Sequence, residues 1–175
     1  MPTLNCLLDS SLPLMHLRIS ECIFTRKPSL VTTVLGSCIS ATFFHAPSGM
    51  AAICHAMLPQ AAAGPKGGHG ACRFVDVAIT SILERFRRCN IKPGDLDAKL
   101  FGGACSMVQP KHLRPEQLDT GAYWNLNVGA RNVEVARALL KQAGISLKGE
   151  HVGGASGRKL FFHTATGDVW VKTLR

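Results

Sequence analysis

Val31-Thr32-Thr33-Val34-Leu35-Gly36-Ser37-Cys38-Ile39-Ser40 is the stretch on which the reading of this chain turns. Val31 to Val34 is β-branched and apolar, which suits a strand. Gly36-Ser37 interrupts it with a turn, where glycine reaches backbone angles that other residues avoid. Cys38 then opens a second strand, Ile39 to Phe44. A thiol just after a tight turn is held by the backbone yet reachable from outside, the placement a nucleophile needs.

The segment downstream supplies a partner. His45-Ala46-Pro47-Ser48-Gly49 carries turn residues, and Ala51 to Met57 reads as a third strand, so the second and third strands form a hairpin. With a loop of 45–50, Phe44 faces Ala51, Ser40 faces His55 and Cys38 faces Met57. Cys38 and His55 are then diagonal neighbours on one sheet face, about 7–8 Å apart at the backbone and within reach of a ring side chain. A five-residue loop would put them on opposite faces. The competing reading makes Cys38 a small buried hydrophobe and His55 a satisfied core residue.

Arg18 to Thr25 alternates weakly and is expected to be the first strand, with residues 1–17 a variable N-terminal extension. The apolar residues of that extension either stay unpacked or pack on the domain or a partner. No lysine or arginine precedes Arg18, so a secretory n-region is missing, and no run reaches the length of a membrane helix. Residues 60–71 are too dense in glycine and proline for a stable element and read as a loop beside the His55 strand. His69 lies in it between glycines, with no fixed geometry for a base.

Cys72 to Cys89 reads as a helix whose Val75, Ala78, Ile79, Ile82 and Phe86 recur at helical spacing. Ala98 to Phe101 is a short strand ending in Gly102-Gly103. Residues 106–125 are irregular and read as an insertion. Asn127 suits the N-cap of a helix from about Gly129 to Ala143, stopped by Gly144, although Asn127 and Asn132 are also candidates for contact with a substrate. Ile145 to Glu150 is a strand, and Lys159–His163 with Val169–Thr173 make a hairpin. This order predicts a single α/β domain, a layered sandwich of mixed β-sheets with two main helices.

The 175 residues are 46% hydrophobic and 18% charged, which excludes a disordered chain. The formal net charge of +9 suits an acidic partner, but aromatic content is only 6% and does not interleave with the basic residues as in single-strand nucleic-acid binders. Seven cysteines show no zinc-ligand spacing and no regular disulfide framework, so free thiols in a reducing compartment are expected, with pairing of some on oxidation as the alternative.

Several motifs together are similar to one family. Thr32 and Cys38 in Leu35-Gly36-Ser37-Cys38, with His55-Ala56-Met57-Leu58-Pro59, resemble the chemoreceptor glutamine deamidases, CheD. Phe101-Gly102-Gly103-Ala104, Asn127-Val128-Gly129-Ala130-Arg131-Asn132, and Gly153-Gly154 followed by Gly157-Arg158-Lys159-Leu160 fit it too, in the right order. The resemblance implies the cysteine-hydrolase fold shared with glutamine-deamidating toxins, over residues 18–175. It implies a Cys-His-Thr triad at Cys38, His55 and Thr32, with Thr33 as the alternative third member because it faces the other way in the strand. It also implies a cytoplasmic protein whose substrates are glutamines on chemoreceptor cytoplasmic helices, and a CheC-type chemotaxis phosphatase as a docking partner. No metal, organic cofactor, nucleic acid or membrane insertion is called for.

In that chemistry Cys38 attacks a glutamine side-chain amide, His55 handles the proton, and water releases glutamate from the thioester. The backbone N–H of Cys38 and a neighbour in the Gly36-Ser37 turn would hold the oxyanion. Gly102 and Gly103 would leave room for the substrate. Cys54 points to the opposite face from His55 and reads as core, and Cys105 is a second nucleophile candidate without a partnering histidine. Cys38 is expected to alkylate ahead of the other thiols. Three alternatives stay open: a cysteine amidase or peptidase on another substrate, a docking protein with a vestigial site, and a basic nucleic-acid binder.

Overall fold

In a computed structural model, which describes residues 4, 11–61, 71–105 and 127–174, nine strands and two α-helices form three layers. The strands are β1 (Leu14–His16), β2 (Cys22–Thr25), β3 (Leu30–Leu35), β4 (Ile39–His45), β5 (Met50–Cys54), β6 (Asp97–Gly102), β7 (Leu147–Val152), β8 (Arg158–His163) and β9 (Val169–Thr173). The helices are α1 (Val75–Arg88) and α2 (Val128–Gln142). One sheet runs β1-β3-β8-β9 and the other β2-β5-β4-β6-β7, both with parallel and antiparallel pairs. The expected mixed sandwich is therefore observed. The insertion at 106–125, His69 and most of the 1–17 extension lie outside the described residues.

Alternation along the strands decides what fills each layer. Val31 and Leu35 of β3 and Leu160 and Phe162 of β8 meet Phe44, Ala51, Ile53 and Phe101 between the two sheets. The other face of the five-stranded sheet, Ile39, Ala41, Phe43, Ala52 and Cys54, packs on α1 and α2. Phe86 of α1 anchors that layer, its ring centroid 4.8 Å from Phe24 and 6.4 Å from Phe43. Of the residues expected as an extension, Leu14–His16 pairs in parallel with Leu30–Thr32, and Leu17 is buried.

The β4–β5 hairpin has the register that a 45–50 loop requires. Phe44 pairs with Ala51, and the same register continues past the end of β5 to an isolated bridge between Ile39 and Ala56. Asn127 caps α2, its side-chain oxygen accepting from the Ala130 N–H at 3.0 Å.

Free thiols are found at Cys38, Cys54, Cys89 and Cys105, but Cys22 and Cys72 are joined in a disulfide across 50 residues of sequence. That corrects the expectation of free thiols. The pair comes together because the edge strand β2 lies beside the short turn that leads into α1, a tertiary proximity that cysteine spacing does not encode.

Candidate active site

Cys38, His55 and Thr33 all face the layer between the sheets. The Ile39–Ala56 bridge is a mutual pair, with N–H to O distances of 2.8 and 2.9 Å. Cys38 therefore stands across from Met57 and Ser40 across from His55, so that Cys38 and His55 are diagonal neighbours. Both project to the inter-sheet side: Cys38 packs on the cluster that holds Phe44 and Ile53, and His55 continues the Ala51–Ile53 alternation.

His55 is fixed from several directions. Its backbone N–H donates to Glu21 O at 2.9 Å and its carbonyl accepts from Ser20 N–H at 2.8 Å. Its Nδ1 lies 2.8 Å from Thr33 Oγ1, and that hydroxyl donates to Leu17 O at 2.9 Å. A hydroxyl has one proton, and a carbonyl oxygen can only accept, so Thr33 accepts from His55 Nδ1–H. The tautomer follows: Nδ1 carries the proton and Nε2 a free lone pair. Nε2 is buried and makes no hydrogen bond among the described residues. Burial pushes the imidazole below its usual range, partly opposed by the Leu17 carbonyl.

Thr33, not Thr32, touches the histidine. The residue preferred from the family spacing is buried on the far face of β3 with Leu30, and its Oγ1 has no hydrogen-bond partner among the described residues. Alternation explains the difference. Thr33 shares its face with Val31 and Leu35, which line the inter-sheet layer, whereas Val34 on the Thr32 side is 53% exposed.

Cys38 is half-buried, and burial raises its thiol above the usual range, partly opposed by its own backbone N–H. Both shifts favour the uncharged forms, a thiol at Cys38 and a neutral imidazole at His55. The expectation that Cys38 alkylates first is weakened, since Cys89 is exposed on the surface. Cys54 lies on the helix side, fully buried, its thiol pushed up to about 11 mainly by desolvation. Cys105 is half-buried, its N–H donating to Gly154 O at 2.8 Å.

The turn before Cys38 is exposed at Gly36 and Ser37. Gly102 and Gly103 brace it from the end of β6. Gly102 pairs with Ile39 at φ +110°, where a Cβ would stand 2.1 Å from Cys38 O. Gly103 N–H donates to Cys38 O at 2.7 Å and Ala104 N–H to Gly36 O at 2.8 Å. Asn132, fully buried on α2, donates from Nδ2 to Ser37 O at 2.9 Å and Met57 O at 3.1 Å. Its polar side chain within an otherwise apolar stripe was the one signal for it in the sequence. Among the described residues no three His, Cys, Asp or Glu side chains gather as a metal site, and no helix is long and apolar enough to cross a membrane.

Comparison with known proteins covers most of the chain. The family described as CheD chemotactic sensory transduction matches residues 57–173. The probable chemoreceptor glutamine deamidase CheD of Nitratidesulfovibrio vulgaris is 46% identical over 169 residues, covering 97% of this chain and 81% of that protein. The protein of the same description from Oleidesulfovibrio alaskensis is 44% identical, covering 97% and 77%. The probable chemoreceptor glutamine deamidase CheD 2 of Geobacter sulfurreducens is 44% identical, covering 93% and 91%. Among solved structures, the hypothetical protein YfiH of Bacillus licheniformis overlaps with 74% of this chain and 49% of its own at 18% identity and a TM-score of 0.46, too loose a likeness to inform the site.

Proposed function

The chain belongs to the CheD family, and from that premise we propose that it is a protein-glutamine deamidase acting on chemoreceptors in the cytoplasm, with Cys38 as nucleophile and His55 as base. One observation carries the assignment of roles. The Thr33 hydroxyl, committed to the Leu17 carbonyl, leaves His55 with a bare Nε2 in the same inter-sheet layer as the Cys38 thiol.

The reaction runs through two acyl transfers. His55 Nε2 takes the Cys38 proton as sulfur adds to the carboxamide carbon of a glutamine side chain. The imidazolium returns that proton to the amide nitrogen, the C–N bond breaks, and ammonia leaves. Water, deprotonated by His55, then adds to the thioester, and the C–S bond breaks to give glutamate and the restored thiol. Thr33 holds the ring in register through both steps. It is neutral, so it orients the imidazole without stabilising its charged form as a carboxylate would. The Cys38 N–H is the oxyanion donor in this reading.

The basic balance of the chain, net +9, favours a carboxylate-rich partner surface over an apolar one. The family resemblance adds a CheC-type chemotaxis phosphatase as a docking partner. The test is intact-mass analysis of chemoreceptor cytoplasmic fragments incubated with the protein. Deamidation gives the mass gain of an amide-to-acid conversion at defined glutamines, and Cys38→Ser abolishes it. Shortened fragments would mean a peptidase. Unchanged fragments, or full turnover by Cys38→Ser, would overturn the assignment.

A further inference from the structure

The β4–β5 ladder stops at Ile39 and Ala56. Two residues further on, the strands have parted: Leu58 N–H turns away to Arg73 O at 3.1 Å, and Ser37 has no partner left across the hairpin. A single side-chain amide fills that gap. Asn132 Nδ2 grips Ser37 O and Met57 O together, from a position on α2 that is completely buried. An asparagine there costs more than an apolar residue of the same size unless its polar atoms are used, and its Oδ1 has no hydrogen-bond partner among the described residues. The buried amide is used for those two carbonyls.

The Ser37 carbonyl belongs to the same peptide as the Cys38 N–H. The chain has no cis peptide bond among the described residues, so the two point in opposite directions. Fixing the carbonyl toward α2 fixes the N–H away from it. The next carbonyl, Cys38 O, accepts from Gly103 N–H, and Gly103 turns at φ +66° against Gly129 and Val133 of α2, where the β4–β6 ladder has ended. No backbone carbonyl among the described residues accepts from the Cys38 N–H. That N–H lies against its own thiol, where it favours the thiolate.

We infer that Asn132 is a positioning residue for acyl transfer: by holding the Ser37 carbonyl it aims the Cys38 N–H at the oxyanion that forms when Cys38 attacks. The inference rests on the deamidase reading and goes beyond it. Asn132 touches no reacting atom; it acts through one peptide plane.

The test separates oxyanion chemistry from simple placement of the thiol. Iodoacetamide alkylates sulfur by displacement at a saturated carbon and builds no oxyanion, whereas deamidation does. For Asn132→Ala and Asn132→Ser, kcat on a receptor cytoplasmic fragment is expected to fall about 10²–10³-fold at nearly constant KM, the scale of losing one oxyanion donor. The iodoacetamide rate at Cys38, read by peptide mass spectrometry, is expected to stay within about two-fold of wild type, since the thiol itself is not displaced. Parallel loss of both rates would make Asn132 a structural residue only, and retained kcat would remove its role altogether. A measurement on wild type stands even if neither variant folds. Addition of a peptide with glutamate semialdehyde at the target position should form a hemithioacetal and shift the Cys38 amide proton downfield; an unmoved resonance in the adduct would overturn the inference. Wild type that forms no glutamate from receptor glutamines would remove the deamidase premise instead, an outcome distinct from any variant result.

Discussion

Thr33 Oγ1 on β3 stands 2.8 Å from His55 Nδ1, so the two sheets are tied together at the residue that would act as base. The same hydroxyl donates to Leu17 O, which makes the bond directional. Thr33→Val keeps the shape and removes the acceptor, leaving a buried Nδ1–H unpaired. A lost buried partner costs about 1–3 kcal/mol, so kcat should fall roughly 10- to 100-fold, with recovery in Thr33→Ser. Thr32→Val lies on the other face and should leave kcat unchanged while removing a buried hydroxyl that has no partner among the described residues. Steady-state kinetics on a receptor fragment decide it: a larger effect at Thr32 than at Thr33 would reverse the assignment.

The pH profile follows from two shifts of opposite sign. Burial lowers the His55 pKa, and only neutral imidazole can take the Cys38 proton. Activity should therefore rise with pH through a midpoint below the ordinary histidine value of about 6.5 and be complete at neutrality. Burial raises the Cys38 pKa, so its thiol form persists further into alkali than an ordinary cysteine's. Loss of the neutral pair should appear only above the usual thiol range. The dependence of kcat/KM on pH reports the free enzyme, and an acid limb above pH 7 would contradict this ordering of the two groups.

Two glycines near Cys38 should respond oppositely to one added methyl group. At Gly102 the Cβ would sit 2.1 Å from Cys38 O, on a backbone at φ +110° that alanine resists. Gly102→Ala should displace the Cys38 turn, cutting activity by more than about 10²-fold and lowering stability by about 1–3 kcal/mol. At Gly36 a Cβ meets nothing within 4 Å, and its φ is not positive. Gly36→Ala should fold as wild type, by urea midpoint, and any activity change there would report substrate contact at the exposed turn.

Strand alternation made much of this site readable in advance. The β-branched run before Gly36 and the turn residues after Phe44 marked the hairpin, but only the observed pairing of Phe44 with Ala51 chooses the register that puts Cys38 and His55 on one face over the five-residue loop that would separate them. Choosing between Thr32 and Thr33 needed one further fact, namely which face of β3 meets the other sheet. Val31 and Leu35 gave one candidate apolar face, but Leu30 and Val34 gave another, and only the second sheet distinguishes them. β1 was missed because three exposed residues, Leu14-Met15-His16, carry no alternation; their place is set by pairing with β3. Asn132 was weighed for substrate contact, and its bonds to two carbonyls 95 and 75 residues away carry no signal in the sequence.

The Cys22–Cys72 disulfide, the pairing least accessible from sequence, yields the last prediction. It closes a loop of 50 residues, and in the chain-entropy account a loop of that length restricts the unfolded state by about 4 kcal/mol, with about 2–4 kcal/mol typically realised. The loop contains β3 to β5 and so both Cys38 and His55. Cys22 continues from Ser20 and Glu21, whose backbone groups hold His55. Reduction, or Cys22→Ser, should therefore lower the urea midpoint. Near the native state, however, β2 remains paired with β5 from Cys22–Cys54 to Thr25–Ala51, so turnover at low temperature should persist. Alkylation before and after reduction checks the premise: Cys22 and Cys72 should be the described cysteines that gain label only after reduction and unfolding together. Equal labelling of both without reductant would show that the protein works with the bond open and that its stability owes nothing to it.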